Sequence, residues 1–371
     1  MKILILNWRD IKNPSSGGAE ILTHEIAKRF VEWGHEVVQF SSYFANASHQ
    51  ETIDEVKIIR QGYPDTRSLF ASVHFRALLF YMRRRKYFDV VIDEIHGIPF
   101  FTPWYVKEKK IALICEVGND SWKRIYGFFF GMVGRLTEKF YLSYIYKDML
   151  FMTISESTKR DLVKEGVNIK NIAVLPMGIN VPKQIANTKK EKKVTLIFVG
   201  RLTVAKGIEE ALTTLEKIRK HNKDIKLWVV GRGKKDYINY LKKMCQELGI
   251  LQYVTFFGFV SETEKFSLLS RAHILIHPSF REGFGLTIPE AGYVRTPVVA
   301  YDSPGLRDIV RNNYNGILAK ENSPEALAEE IVHILDNSDL YKKLCQGAFD
   351  EARQYNWDNT AKVMLANLQK L

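Results

Sequence analysis

The chain has 371 residues, with 46% hydrophobic residues, 26% charged residues and a formal net charge of +12. That length exceeds the roughly 100–200 residues usual for one domain and predicts two, and the ordinary composition excludes disordered and fibrous classes. The positive balance suits an anionic partner: nucleotide phosphates, nucleic acid or an acidic membrane surface.

Three cysteines, Cys115, Cys245 and Cys345, are odd in number and widely spaced. They imply neither a disulfide framework nor a zinc site, and they fit a reducing compartment. The opening MKILILNWRD is too short an apolar run for a signal peptide and reads as a first strand. The most suggestive membrane stretch, residues 126–133 with Phe128, Phe129 and Phe130, falls short of the about 18 apolar residues of a spanning helix. The expectation is a cytoplasmic protein that lies on a membrane rather than crossing it.

Short apolar runs alternate with longer segments of helical spacing. Residues 3–6 read as a strand, Gly17 and Gly18 as a turn, 19–33 as a helix ended by Gly34, and 37–40 as the next strand. Strands follow at 90–92, 111–115 and 149–154. Residues 183–193, KQIANTKKEKK, are polar and basic and read as a linker. The alternation then restarts: a strand at 194–199, a turn at 200–207, a helix at 208–221, and strands at 227–230, 254–257, 274–277 and 298–300. Strand–helix alternation of this kind predicts two α/β halves with parallel, doubly wound sheets. A ligand is expected in the cleft between them, at the carboxyl ends of the strands.

Three constellations carry chemistry. Gly200 ends a strand, a helix starts a few residues later, and the loop between holds Arg201 and Lys206. Free amides at a helix start, a forked guanidinium and an ammonium together suit a diphosphate, although a solvated surface turn is the bland alternative at even odds. The second is REGFGLTIPE at 281–290, read as a strand end, a tight turn at Gly283 and Gly285, and a helix start capped by Thr287 with Pro289 early in the helix. It places Glu282 in the loop and Glu290 in the first helical turn, two acceptors fit to grip hydroxyls without a metal. Glu290 also serves as a plain complement to the helix dipole. Weaker signals are GGAE at 17–20 and Gly231 in GRG at 231–233.

Taken in order, these residues resemble the retaining glycosyltransferase family 4, also called group 1, which has the two-domain GT-B fold. Further matching motifs are GHEV at 34–37, SESTK at 155–159 with Leu162, LPMGIN at 175–180, His277 with Pro278 and Ser279 before EGFG at 282–285, PVV at 297–299 and Asn315 with Gly316. The resemblance implies α/β architecture with two Rossmann-like doubly wound domains facing each other across a cleft. It implies an acceptor-binding domain at 1–182, the linker at 183–193, a nucleotide-sugar-binding domain at 194–355, and a last helix from 356 to 371 crossing back onto the first domain.

The implied activity moves a hexose-type sugar from a UDP- or GDP-linked donor to a glycan or lipid-linked acceptor, with retention and with no metal or other cofactor. Arg201 and Lys206 would hold the diphosphate as it leaves, and Glu282 would touch the sugar. Glu290 would hold the ribose, and amides near Gly17, Gly18, Phe284, Gly285 and Leu286 would add donors, with Gly200 and Gly231 lining the site. Many members carry a histidine after the strand at 111–115. This chain has Cys115, Glu116, Val117 and Gly118 there, so the first-domain role is unassigned. His96, Glu116 and Trp122 are the acceptor-side candidates, with a structural role the default for His96. Met177 and Asn180 stand where Asn and Asp are usual in the family.

The basic cluster Arg76, Arg83, Arg84, Arg85 and Lys86, with Lys107, Lys109 and Lys110, and the aromatic segment 122–130 suggest peripheral attachment to an anionic membrane. Core packing or the lining of an acceptor site is a nearly equal account of those aromatics. A nucleotide-sugar epimerase, a phosphorylase and a non-catalytic nucleotide- or lipid-binding relative are the competing readings. Nucleic-acid binding is disfavoured, because no basic–aromatic stripe is present.

Overall fold

The computed structural model describes residues 1–64, 66, 68–119, 121–185, 189–220 and 224–371. The chain divides into two compact units. One is Met1–Gly178 together with Asn356–Leu371, and the other is Ile179–Tyr355.

The first unit comprises β1 (Lys2–Leu6), α1 (Gly18–Glu32), β2 (Glu36–Ser41), β3 (Gln50–Ile53), β4 (Val56–Arg60), α2 (Val73–Met82), β5 (Val90–Ile95), β6 (Lys109–Ile114), α3 (Ser121–Phe140), β7 (Leu150–Thr153), α4 (Glu156–Lys164) and β8 (Ile172–Val174). The sheet runs β3-β4-β2-β1-β5-β6-β7-β8. Its central strands are buried on both faces, so they read as apolar runs and not alternating ones, β5 excepted where Asp93 and Glu94 are buried.

Helix α1 starts because the Gly17 amide donates to Glu20 Oε2 at 2.7 Å, satisfying one of the orphan donors of the first turn. Leu22, Ile26 and Phe30, four residues apart, bury its inner face. Each contributes about 1.5–3 kcal/mol by leaving water. Gly34, at φ +83°, stops the helix in a conformation that costs a side chain energy.

The sheet is not wholly parallel, as had been expected: β3 and β4 form an antiparallel pair on its edge. Both strands escape the periodicity reading because they carry charge. Arg60 on β4 is fully buried, and its guanidinium grips Asp10, also fully buried, at 2.7 and 2.9 Å. A bidentate pair makes such burial tolerable. Helix α3 breaks at Gly127, whose φ of +77° is non-helical.

The second unit comprises β9 (Val194–Val199), α5 (Ile208–Lys220), β10 (Ile225–Val230), α6 (Lys235–Glu247), β11 (Val254–Gly258), α7 (Glu262–Arg271), β12 (Ile274–His277), α8 (Thr287–Tyr293), β13 (Val298–Ala300), α9 (Leu306–Ile309), β14 (Gly316–Leu318), α10 (Pro324–Asp336) and α11 (Ser338–Ala352). Its sheet runs β11-β10-β9-β12-β13-β14, and every pairing is parallel. The order reverses direction at β9 and β12, the switch point at which ligands of open α/β sheets bind. Helix α5 is described to Lys220, and His221, the expected last residue, lies outside the described residues.

Residues 186–188 of the expected linker also lie outside the described residues. Near the far end of that stretch, Lys190 and Glu191 contact the second unit. The Lys190 ammonium donates to Ala272 O at 2.5 Å and Thr296 Oγ1 at 2.7 Å, and Arg271 holds Glu191 at 2.6 Å. The last helix, α12 (Trp357–Lys370), belongs to the first unit. Arg29 of α1 pairs with Asp358 at 2.5 Å, Thr360 donates to Pro176 O at 2.6 Å, and Trp357 is buried against Gly178.

Candidate functional site

The loop after β9 is stitched to the loop after β12. Phe280 donates its amide to Ala205 O at 3.2 Å, and Ser279 Oγ lies 3.5 Å from Lys206 O. Gly207 adopts φ +70°, and a methyl there would stand 2.1 Å from Pro278 O. Only glycine lets the two loops close up in this way.

That closure brings Lys206 onto Glu282. The ammonium contacts both carboxylate oxygens at 2.5 Å. Ser279 Oγ adds a third donor to Glu282 Oε1 at 2.9 Å. Burial pushes the Glu282 carboxyl up, and the charge of Lys206 with these hydrogen bonds brings it net below the usual range. His277 lies at the end of β12 with Nε2 3.8 Å from Glu282 Oε1, too long for a hydrogen bond. Its Nδ1 is buried without a partner among the described residues. Burial lowers its pKa to about 4, so at neutral pH the ring carries no charge. Arg201, by contrast, is exposed and makes no ion pair among the described residues. The loop therefore offers one open cation and one cation already neutralised by a carboxylate.

The second carboxylate sits in α8, where the cap differs from the expected one. Leu286 is the N-cap, Thr287 is already helical, and its hydroxyl is buried without a partner among the described residues. Of the two glycines in the turn, only Gly285 takes positive φ, at +87°. Phe284 turns its ring edge-on to Tyr355, 5.6 Å away, leaving its backbone as the part able to meet a ligand. Glu290 is almost fully buried and pairs with Lys265 of α7 at 2.9 Å. Burial pushes its carboxyl up, Lys265 pulls the other way, and the net shift is upward. Lys265 was not legible as a site residue, since one lysine in the first turn of an amphipathic helix looks like solvated surface.

Gly200 and Gly231, the expected donor lining, meet at the ends of their strands. Gly231 takes φ +145°, and a methyl there would stand 1.7 Å from Gly200 O. Its amide donates to Gly258 O at 2.8 Å, while Gly200 donates to Val230 O at 3.0 Å. Both amides are therefore committed to holding strand ends together.

In the first unit, the carboxyl edge of the sheet gathers a second cluster. His96, just after β5, contacts Glu94 Oε1 through Nε2 at 2.9 Å and stacks on Trp8. Glu94 is buried, and its Oε2 accepts from Asn7 at 2.7 Å and Thr23 at 2.5 Å. Burial pulls the His96 pKa down, Glu94 raises it, and the net shift is upward. The consecutive carboxylates Asp93 and Glu94 inside an apolar strand were the one sequence signal for this cluster. Gly17 is held by Glu20 as described above, and Gly18 opens α1.

Glu116 is half-buried after β6, beside Cys115, whose thiol burial raises well above its ordinary pKa. Trp122 turns inward onto Gly97, Gly118 and Gly134, and its Nε1 donates to the buried Glu138 at 3.0 Å. It is thus separated from Phe128, Phe129 and Phe130, which are exposed. The basic cluster also departs from expectation. Arg83, Arg84, Arg85 and Lys86 precede β5, Lys107 precedes β6 and Lys109 opens it, so they lie at the amino edge of the sheet. The start of α3 lies at the opposite edge. Among the described residues no group of three metal-ligating side chains occurs, and no helix is long and apolar enough to cross a membrane.

Comparison with known proteins agrees with this architecture. Residues 181–350 match the family described as Glycosyl transferases group 1, and residues 16–183 match Glycosyltransferase Family 4. An uncharacterised glycosyltransferase of Methanocaldococcus jannaschii is 31% identical over 238 residues, covering 60% of this chain and 60% of the relative. The chain thus spans about three-fifths of the length of that relative. Sucrose-phosphate synthase from Thermosynechococcus elongatus superposes with a TM-score of 0.80 at 18% identity, over 100% of this chain and 98% of that one. HepE of Anabaena, solved with UDP and glucose, superposes with a TM-score of 0.76 at 16% identity, over 100% of both chains. Two Rossmann-like units in tandem, matched by these two families along nearly the whole sequence, place the chain in the group 1 and family 4 glycosyltransferases with the GT-B fold.

Proposed function

We propose that this chain transfers a hexose-type sugar from a UDP- or GDP-linked donor to a glycan or lipid-linked acceptor in cell-surface polysaccharide or glycoconjugate synthesis, with retention and without a metal. The observation that carries the reading is the Arg201–Lys206–Glu282 arrangement at the carboxyl edge of the second sheet. Two cations facing a diphosphate supply the charge stabilisation that a leaving nucleotide needs. Glu282, released from Lys206 when phosphate replaces it, is then an acceptor for sugar hydroxyls. Glu290 is assigned to the ribose. A nucleotide donor is in keeping with the UDP seen on HepE.

On the acceptor side, His96 backed by Glu94 is the group we assign to an acceptor hydroxyl, in place of the histidine absent at Cys115. Trp122, which lies against Gly97 next to His96, and Glu116, just after β6, are the further acceptor-side candidates. The peripheral membrane reading rests on α3 and the turn after it, where Phe128, Phe129, Phe130, Leu136, Phe140 and Tyr144 are all exposed, with Lys139 and Lys147 among them. The chain is placed on the cytoplasmic face of that membrane.

Thermal-shift binding tests the donor site. Uridine, guanosine and adenosine diphosphates and their sugar conjugates are titrated in EDTA against the wild type and Lys206→Ala. Stabilisation by one nucleotide of about 2.7 kcal/mol at about 100 times Kd, lost in the variant, is the expected result. No stabilisation by any of them removes the donor assignment. The missing histidine favours one alternative, a catalytically altered nucleotide-binding relative. It predicts the same shift, with no sugar released from the bound donor.

A further inference from the structure

Helices α7 and α8 pack side by side, and Lys265 from the first turn of α7 meets Glu290 from the first turn of α8. The Lys265 ammonium, only 14% exposed, reaches Glu290 Oε2 at 2.9 Å and Glu262 Oε2 at 2.8 Å. Glu262 is largely in solvent, whereas Glu290 is 9% exposed. Glu290 Oε1 accepts no hydrogen bond among the described residues. Lys265 thus meets the buried carboxylate as an ion pair without hydrogen-bond geometry, so Oε2 has no hydrogen-bond partner among the described residues either. We propose that Lys265 is a positioning residue for the donor site: it holds Glu290 as a carboxylate with Oε1 free to take the ribose hydroxyls. The proposal rests on the assignment of Glu290 to ribose.

The physical ground is the cost of a buried charge. A carboxylate taken out of water without a partner picks up a proton instead of staying ionised. A protonated Glu290 would lose half its acceptor capacity and the strength of charge-assisted bonds. The charged groups facing Glu290 are Lys265 and Glu262, both on α7. Glu262 works against ionisation, which leaves Lys265 to sustain it. A lysine serving only to pack α7 on α8 would need its methylenes, not its charge.

The test compares the nucleoside diphosphate that binds best with its 2′,3′-dideoxy form by calorimetry. The proteins are the wild type, Glu290→Gln, Lys265→Met and Lys265→Arg, each at about pH 6 and about pH 9, values that bracket a displaced carboxyl. The wild type is expected to prefer the ribose form by about tenfold or more, the weight of a hydrogen bond to a charged group. Glu290→Gln should lose most of that preference at both pH values. Lys265→Met should lose it at the lower pH and regain it at the higher one, as Glu290 ionises unaided. Lys265→Arg should keep it throughout. If Lys265→Met discriminates like the wild type at both pH values, Lys265 is packing alone and the proposal falls. If the wild type itself shows no ribose preference, the assignment of Glu290 falls and the proposal with it, a result distinct from the first. Should Lys265→Met not fold, Lys265→Met with Glu290→Gln removes the stranded charge. Preferences equal in that double variant and in Glu290→Gln support the proposal, and a further loss of affinity common to ribose and dideoxy forms overturns it.

Discussion

Lys206 and Glu282, 76 positions apart in the chain, meet through both carboxylate oxygens at 2.5 Å. The pair is mostly buried, with side chains 21% and 11% exposed. A diphosphate entering this loop must therefore compete with Glu282 for the ammonium. On the proposed assignment, the contact would link the phosphate end of the site to its sugar end.

Breaking that pair from one side should be worse than breaking it from both. Lys206→Ala leaves the Glu282 carboxylate without its cation and should cost about 3 kcal/mol of stability, at the low end for a buried pair because part of it is wet. Lys206→Ala with Glu282→Gln should recover much of the loss. Urea unfolding of the wild type, Lys206→Ala, Glu282→Gln and the double variant measures the coupling. Equal stability of the single and double variants would mean that solvent already screens the pair.

Gly207 is required by geometry and not by chemistry. Its φ of +70° and the 2.1 Å approach of a built methyl to Pro278 O leave no room for a side chain. Gly207→Ala should destabilise the second unit by about 1–3 kcal/mol and weaken nucleotide binding along with it. Denaturant midpoints beside nucleotide titrations check this, and a wild-type midpoint would show that the loop relaxes freely.

His277 should make the protein acid-sensitive. Burial lowers its folded pKa from 6.5 to about 4, with Glu282 opposing the shift and Lys206 adding to it. A group that binds protons more tightly when unfolded contributes stability that is present above the unfolded pKa and lost as pH falls through the folded one. The window is therefore from about pH 6.5 down to about pH 4, and the loss is about 3 kcal/mol. His277→Asn should flatten the pH–stability curve across that window. A curve as steep as the wild type's would place the acid sensitivity elsewhere.

The exposed face of α3 should decide membrane association. Phe129→Ser with Phe140→Ser removes two exposed aromatics and leaves the buried side of the helix untouched. Sedimentation with vesicles of anionic and of neutral lipid should show wild-type binding to the anionic ones, weakened by salt and lost in the variant. If the wild type stays in the supernatant at low salt, the face is not a lipid surface.

Much of the fold was legible because buried parallel strands are apolar runs and the helices between them carry turn signals at both ends. The central strands of both sheets were found for that reason. Strands β3 and β4 were missed because Glu51, Lys57 and Arg60 hide them: a charge inside a sheet reads as surface until its partner is known. The antiparallel edge was likewise hidden, since strand direction leaves no mark on a short polar run.

In the site, Arg201, Lys206, Glu282 and Glu290 were recognisable from the glycines and helix starts around them. Lys265 was not, and Ser279 was seen only as part of a motif, because their significance lies in what they touch. The committed amides of Gly200 and Gly231 were equally unreadable, since one glycine pattern serves both ligand approach and backbone packing.

What the sequence determined by itself was the architecture and the inventory: two α/β units, a diphosphate-type loop and two carboxylates at a helix start. Periodicity and local backbone chemistry are properties of neighbouring residues, and the chain states them directly. Only the tertiary structure decided which charges neutralise each other. It set Lys206 on Glu282, Lys265 on Glu290 and His96 on Glu94, and left Arg201 open. Those pairings depend on distances of a few ångströms between segments far apart in the chain, and in a low-dielectric interior such distances fix which groups stay charged.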